Sequence, residues 1–434
     1  MRQKAFGKVA YVNARLLDPA TGTDAPGGLL TEGEKIVAAG PDVRRGAVPA
    51  DAKVVDCKGA CLAPGLVDMR VSLGEPGEDH KESLRSAGEA AVAGGVTSMV
   101  CLPNTNPPID DEATVEFVAR RARLIGLAKV YPYGAATQGC EGKVISEMGL
   151  LSNAGAVAFT DGLKPLADPQ IMRRALSYGA TFGLLVCQHP EEKALSGGVM
   201  NGGDLATRLG LSGVPREAEI IMLERDMRLV KMTGGRYHAA HLTCAESIDV
   251  IRRAKDQGLD VTCDTAPFYF ALNEMAVSDY RTFAKLNPPL RGEDDRRAVV
   301  QGLKDGVIDC IASDHLPQDQ DTKRQPFNQA SYGAIGLETL LPISLELYHN
   351  GYLSLLDVLR PLTVAPAKRL GLPGGTLAAG APADFFLFDP DRAWKVTAER
   401  LRSKSKNTPF DGRPVQGRVL TTVIDGRTVF EHHG

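Results

Sequence analysis

The chain has 434 residues, 43% of them hydrophobic and 24% charged, with a formal net charge of −3. That balance suits a globular protein with a large core, as two or three domains or as one large barrel with an appendage. No basic block points to nucleic acid or to an anionic membrane, and no apolar run reaches membrane-spanning or signal-peptide length, so a cytoplasmic location is expected. The eight cysteines are scattered, several inside apolar runs, and read as small buried hydrophobes rather than disulfides.

Residues 8–62 read as β-rich. Val9–Val12, Leu29-Leu30, Lys35–Gly40 and Lys53–Asp56 are short apolar pieces separated by Gly, Pro and Asp. From residue 63 the pattern changes to strand-like runs alternating with helix-like segments. The strand candidates are Leu66–Leu73, Val96–Leu102, Lys129–Tyr133, Ala156–Phe159, Thr181–Val186, Tyr237–Leu242, Asp260–Cys263 and Ile308–Ala312. The helix-like stretches between them include 80–94, 112–127, 216–232, 245–257 and 294–305. Eight strands with intervening helices over this length predict an α/β fold of the (β/α)8 TIM-barrel type. After residue 375 the β-rich character returns in Gly380–Asp389 and in two strands around Asp425-Gly426, a hairpin signal. Both ends are expected to pair into a small composite β-sandwich formed by 1–62 with 366–434, beside a barrel of 63–365.

In such barrels chemistry sits at the carboxyl ends of the strands. The polar residues there are Arg70 and Ser72, Asn104, Asp161, His189, His238 and His241, Asp264, and Asp314 with His315. His189, His241, Asp161 and Asp314 come from four strands and have the donor types that a zinc-type hydrolytic centre uses. Such an ion would activate a water, and Asp314 would carry its proton to the leaving nitrogen. Plainer readings stand beside this one. His238 lies deeper in its strand and reads as a core or hydrogen-bonded residue, and His315 points away from Asp314. His189 is either a ligand or a hydrogen-bonded strand-end histidine. Asp161 is either a ligand or a turn former before Gly162. His80 and His349 read as solvated, and His432 and His433 as a disordered tail.

Several segments taken in order resemble the dihydroorotases, a cyclic amidohydrolase branch of the amidohydrolase superfamily. They are Ala63–Asp68, Glu75–Gly77, Pro103-Asn-Thr-Asn-Pro107, Ala240–Ser247, Asn287–Arg291, Ser313–Pro317, Gly336–Pro342, Gly380–Asp384 and Ser405–Phe410. The resemblance implies His189 and His241 as metal ligands, Asp161 as the bridging carboxylate, and Asp314 as the metal-bound acid/base. It implies Asn104 and Asn287 as substrate contacts. The departures are as specific as the matches. The family's His-x-His ligand pair is Arg70 and Ser72 here. The arginine that grips the substrate carboxylate is Gly74. A histidine usual after Asp-His is Gln318, and the Pro-His near the seventh strand is Pro267-Phe268.

An arginine at position 70 keeps its charge and would repel a divalent ion. Its natural partners are Asp161 and Asp314; one such contact at ~4 Å and an effective dielectric of ~20 is worth about 4 kcal/mol before desolvation. The sequence therefore predicts a guanidinium in place of one metal ion, hydrogen-bonded to at least one of those carboxylates, and at most one zinc ion or none. Two functions follow from the resemblance. One is a non-catalytic or impaired subunit of de novo pyrimidine biosynthesis that supports aspartate carbamoyltransferase. The other is a working dihydroorotase, interconverting carbamoyl-aspartate and dihydroorotate at a reduced single-metal site. A homo-oligomer is expected in either case.

Overall fold

The structure is a computed structural model that describes residues 7–432, so His433 lies outside the described residues. Its centre is a ring of eight parallel strands: Leu66–Val71, Val96–Cys101, Lys129–Pro132, Phe159–Thr160, Leu185–Gln188, Arg236–Ala239, Val261–Thr265 and Cys310–Ile311. The Gly134–Ala135 extension of the third strand pairs with the fourth. Ser72 N donates to His315 O at 2.8 Å, which joins the eighth strand back to the first. Every residue of the first strand is buried, Asp68 and Arg70 included, because a barrel strand is covered by side chains within and helices without. Met69, Val100, Ala158, Cys187, Cys310 and Ala312, drawn from around the ring, pack together as an interior layer.

A helix follows each strand before the next, and local chemistry sets several boundaries. Ser83 and Ser86 form a capping box at the start of Leu84–Ala93, and Asp111 caps Glu112–Ile125. The helix Pro169–Phe182 ends on Gly183 in the left-handed conformation, with φ 68°. That corrects the fifth strand. Thr181 and Phe182 close the preceding helix, and the strand is Leu185–Gln188, displaced toward His189. The fourth and eighth strands are two residues each, shorter than their apolar runs suggested.

The two chain ends build one separate sheet. In spatial order its strands are Arg427–Glu431, Pro414–Ile424, Phe385–Lys395, Cys61–Pro64, Lys8–Asp18, Thr23–Glu32 and Lys35–Gly40, with Lys53–Asp56 also paired to Lys8–Asp18. Asp425 and Gly426, both at positive φ, make the two-residue turn of the last hairpin. Side-chain alternation divides the faces. Phe385 and Leu387 join Tyr11, Leu16 and Leu29 in the sheet's own core, while Phe386 and Phe388 pack into the barrel's outer core. His432, read from sequence as disordered, is held by its backbone N–H to Leu420 O at 2.8 Å. All eight cysteines are buried and unpaired. Among the described residues no helix is long and apolar enough to cross a membrane.

Candidate active site

The first strand carries Arg70 to the carboxyl end of the ring, where its guanidinium is buried. Arg70 Nε donates to Asp314 Oδ1 at 3.2 Å and Nη2 donates to the Gly162 carbonyl at 3.1 Å. Of the two carboxylates named as partners, Asp314 takes the contact. Asp161 turns the other way, accepting from the Thr137 backbone N–H and hydroxyl, and Arg70 reaches only the carbonyl of the next residue.

Asp314 sits beyond the eighth strand and His241 beyond the sixth, and both have left-handed backbones, with φ of 48° and 57°. A non-glycine residue held there is strained by about 1–3 kcal/mol, and such strain gathers at functional sites. The two side chains meet: His241 Nε2 lies 3.0 Å from Asp314 Oδ1, the oxygen that Arg70 also engages. The other ring nitrogen, Nδ1, lies 2.8 Å from Asp264 Oδ1. Both are ion-pair distances, though neither nitrogen is aligned as a hydrogen bond. Asp264 also accepts from the His241 backbone N–H and from His238 Nε2 at 2.9 Å, while His238 Nδ1 meets Thr262 Oγ1.

The result is a buried file of alternating charge, Arg70, Asp314, His241, Asp264. Burial works against the His241 imidazolium, but Asp314 and Asp264 outweigh it and raise the ring to about 9. Burial alone would push both carboxyls up. Instead His241, with His238, holds Asp264 well below the usual carboxylate range, and His241 with Arg70 lowers Asp314. Among the described residues no cation lies within ion-pair distance of Asp161, so burial pushes its carboxyl up against the opposing Thr137 hydrogen bonds and the weaker pull of Lys164.

The remaining residues ring this file. His189 is buried just past the fifth strand, with Nε2 at 3.3 Å from Asn287 Nδ2 and 3.6 Å from Glu191 Oε2, and its Nδ1 has no hydrogen-bond partner among the described residues. Asn287 also donates to Glu191. Asn104 uses both ends of its amide on backbone, donating to Asp161 O at 3.0 Å and accepting from Leu163 N at 2.9 Å. Ser72 has a buried hydroxyl with no hydrogen-bond partner among the described residues. His315 faces away from the file toward Glu82, at 3.5 Å.

The residues present do not fit a metal centre. Arg70 occupies Asp314 Oδ1, His241 is flanked on both nitrogens by carboxylates, and Asp161 is directed to Thr137. Among the described residues no three His, Cys, Asp or Glu side chains converge as a group that could hold an ion.

Asp264 is the residue that sequence reading underweighted. Its signal was present: a charged residue in the apolar run Val261-Thr-Cys-Asp-Thr265, paired through its strand neighbours with the strand that carries His238.

Comparison with known proteins bears on this site. Residues 59–247 match the family model for dihydro-orotase-like proteins and residues 232–430 that of the amidohydrolase family. A dihydroorotase of Wolbachia sp. subsp. Drosophila simulans (strain wRi) is 45% identical over 99% of this chain and 97% of its own length. One from Syntrophotalea carbinolica is 44% identical over 98% of this chain and 99% of its own. Among solved structures, the L-hydantoinase of Arthrobacter aurescens superposes with a TM-score of 0.88 at 25% identity, covering 99% of this chain and 97% of its own. A dihydropyrimidinase from Brevibacillus agri NCHU1002 shares the fold, with a TM-score of 0.81 at 22% identity over 98% of this chain and 95% of its own.

Proposed function

This chain belongs to the dihydroorotase family of the amidohydrolases, and from that premise we propose that it is a cytoplasmic dihydroorotase-type protein of pyrimidine biosynthesis whose metal centre has been replaced by the Arg70 ion file. Members of this family are typically metal-dependent. Here the observation that carries the reading is the Arg70 Nε to Asp314 Oδ1 contact of 3.2 Å. A fixed guanidinium supplies counter-charge to Asp314 but cannot coordinate and activate a water as a metal ion does. Asp314 is lowered by His241 and Arg70, and the carboxylate oxygen that both engage is a poor proton acceptor. The proposed role is therefore a non-catalytic or strongly impaired subunit that supports aspartate carbamoyltransferase.

A second reading has its own support. His241 and Asp314 keep strained backbones, and His189 keeps a free buried nitrogen. In that reading the barrel still interconverts carbamoyl-aspartate and dihydroorotate, with at most one zinc ion near His189. One experiment separates the two. The purified chain is analysed for bound metal and assayed for carbamoyl-aspartate cyclisation, alone and with aspartate carbamoyltransferase. Metal-free, inactive protein that co-purifies with the transferase supports the first reading. Turnover that Asp314→Asn abolishes overturns it.

A further inference from the structure

The helix Glu112–Ile125, which follows the second barrel strand, buries Thr114, Val115, Val118 and Ala122 against the barrel. The opposite face is exposed. At about 100° per residue, one edge of that face carries Glu112, Glu116, Arg120 and Arg123, and the other carries Ala113, Phe117 and Leu124. Leu124 is 73% exposed and Phe117 42%, so two large apolar side chains stand in water on one edge. The charges beside them are unsatisfied. Glu116 and Arg120 are four residues apart, a spacing at which a helix can pair its own charges. Yet among the described residues none of the four makes an ion pair; on this helix only Arg121, beyond the edge, does so, with Glu75 at 3.0 Å. On the Glu217–Thr233, Ala245–Asp256 and Glu293–Lys304 helices, by contrast, exposed charges are matched: Glu224 with Arg253, Arg252 with Asp305, and Glu293 with Arg297.

We propose that this face pairs, antiparallel and across a two-fold axis, with the same face of a second copy of the chain. Such a dyad keeps the charged edge against the charged edge and the apolar edge against the apolar edge. Where it crosses the helix near Phe117 and Val118, Glu116 meets the partner's Arg120 and Glu112 meets the partner's Arg123. On the other edge Leu124 covers the partner's Ala113, and Phe117 meets the partner's Phe117 at the axis. The acids lie in the N-terminal half of the helix and the bases in the C-terminal half, so reversing the helix exchanges the signs and makes the face its own complement. Parallel pairing would set acid against acid. A partner of another kind would have to reproduce this pattern, which a second copy already carries. The helix has 14 residues, about 21 Å of length, which makes a small interface, so the association is reversible and depends on concentration. The inference is independent of whether the barrel is catalytic.

The test is sedimentation velocity of the full chain across the micromolar range, for wild type, Glu116→Arg, Arg120→Glu and an equimolar mixture of the two variants. Both positions are exposed, so each variant keeps the fold, which its melting temperature verifies. Glu116→Arg sets base against base at both central contacts of a homodimer, and Arg120→Glu sets acid against acid. In the mixture both contacts are opposite in sign again. Wild type is expected to pass from monomer to dimer as concentration rises, and each variant alone to dissociate about tenfold or more readily. The mixture is expected to recover the association. A wild type that stays monomeric, a dimer that neither variant weakens, or a mixture that associates no better than the separate variants overturns the proposal.

Discussion

Arg70 Nε stands 3.2 Å from Asp314 Oδ1, the same oxygen that faces His241 Nε2 at 3.0 Å. One carboxylate oxygen therefore serves two cations in a fully buried setting. Removing one member of such a group leaves uncompensated charge, which costs about 3–5 kcal/mol. Arg70→Met is expected to lose stability in that range by denaturant titration, with an unchanged m-value. Arg70→Lys should fall between, because a point charge cannot reach Asp314 and the Gly162 carbonyl together. A loss below about 1 kcal/mol for Arg70→Met, as at a surface pair, would show that the contact does not organise the site.

The same oxygen decides whether metal can return. Arg70→His with Ser72→His removes the competing cation and restores the family's ligand pair on the first strand. The double variant is expected to bind zinc after exposure to the metal, by elemental analysis of the desalted protein, while wild type treated alike does not. Equal metal content in the two proteins would mean that Arg70 is not what excludes an ion.

His241 gives a direct readout of the charge file. Its folded pKa of about 9 means that the imidazolium persists through neutral pH, whereas an ordinary histidine has largely lost its proton by then. Nitrogen NMR of the ring at pH 7.5 should show both nitrogens protonated, with titration only above about pH 8. The sign follows from the causes: Asp314 and Asp264 favour the charged form, so Asp264→Asn or Asp314→Asn must move the titration down. A ring already neutral at pH 7.5 in wild type would refute the alternating charges.

How much of this was legible in the sequence differs by element. The barrel was, since the eight apolar runs and their helices recur in order, and the chain-end hairpin was announced by Asp425-Gly426. Thr181 and Phe182 were misread because β-branched and aromatic residues in a short apolar run suit a strand as well as a buried helix end. Gly183 in the left-handed cap decides for the helix. The Arg70 contact followed from charge alone, but its choice of Asp314 over Asp161 did not. That choice depends on Thr137, distant in sequence, which takes both oxygens of Asp161. Histidine and aspartate are among the non-glycine types that adopt a left-handed backbone more often, but no turn signal beside His241 or Asp314 singled these two out. Asn104, read as a substrate contact, spends its amide on the backbone of the Asp161–Leu163 turn, a partnership that only the fold brings together.

Asp68 supplies a stability dependence on pH. It is fully buried in the first strand, with Oδ1 accepting from Arg70 N and Ser313 N and Oδ2 without a hydrogen-bond partner among the described residues. Burial raises its carboxyl from 3.8 to about 6, against the Ser313 and Arg70 hydrogen bonds. Between those values the unfolded chain releases a proton that the folded chain keeps, so stability falls as pH rises. The full cost, about 3 kcal/mol, is reached above pH 6. In the difference between wild type and Asp68→Asn, the variant should gain about that much relative stability from pH 4 to pH 7. A difference that does not change with pH would place the Asp68 carboxyl at its ordinary value.

Gly162 makes the sharpest steric prediction. Its φ is 66°, and a Cβ there would lie 1.8 Å from Asn104 Oδ1. Its carbonyl takes Arg70 Nη2, while Asn104 clamps the Asp161 carbonyl and the Leu163 N–H on either side. Gly162→Ala must therefore strain a left-handed backbone and displace the Asn104 amide at once. It is expected to cost more than about 2 kcal/mol and to shift the Arg70 guanidinium, visible as a change in its side-chain nitrogen resonances. Asn104→Ala leaves the Leu163 N–H unpaired and should cost about 1–3 kcal/mol. Because the two substitutions act on one clamp, the double variant should lose less than the sum of the singles. Strict additivity would show that Asn104 and Gly162 support the barrel mouth separately, and that Arg70 is positioned by Asp314 alone.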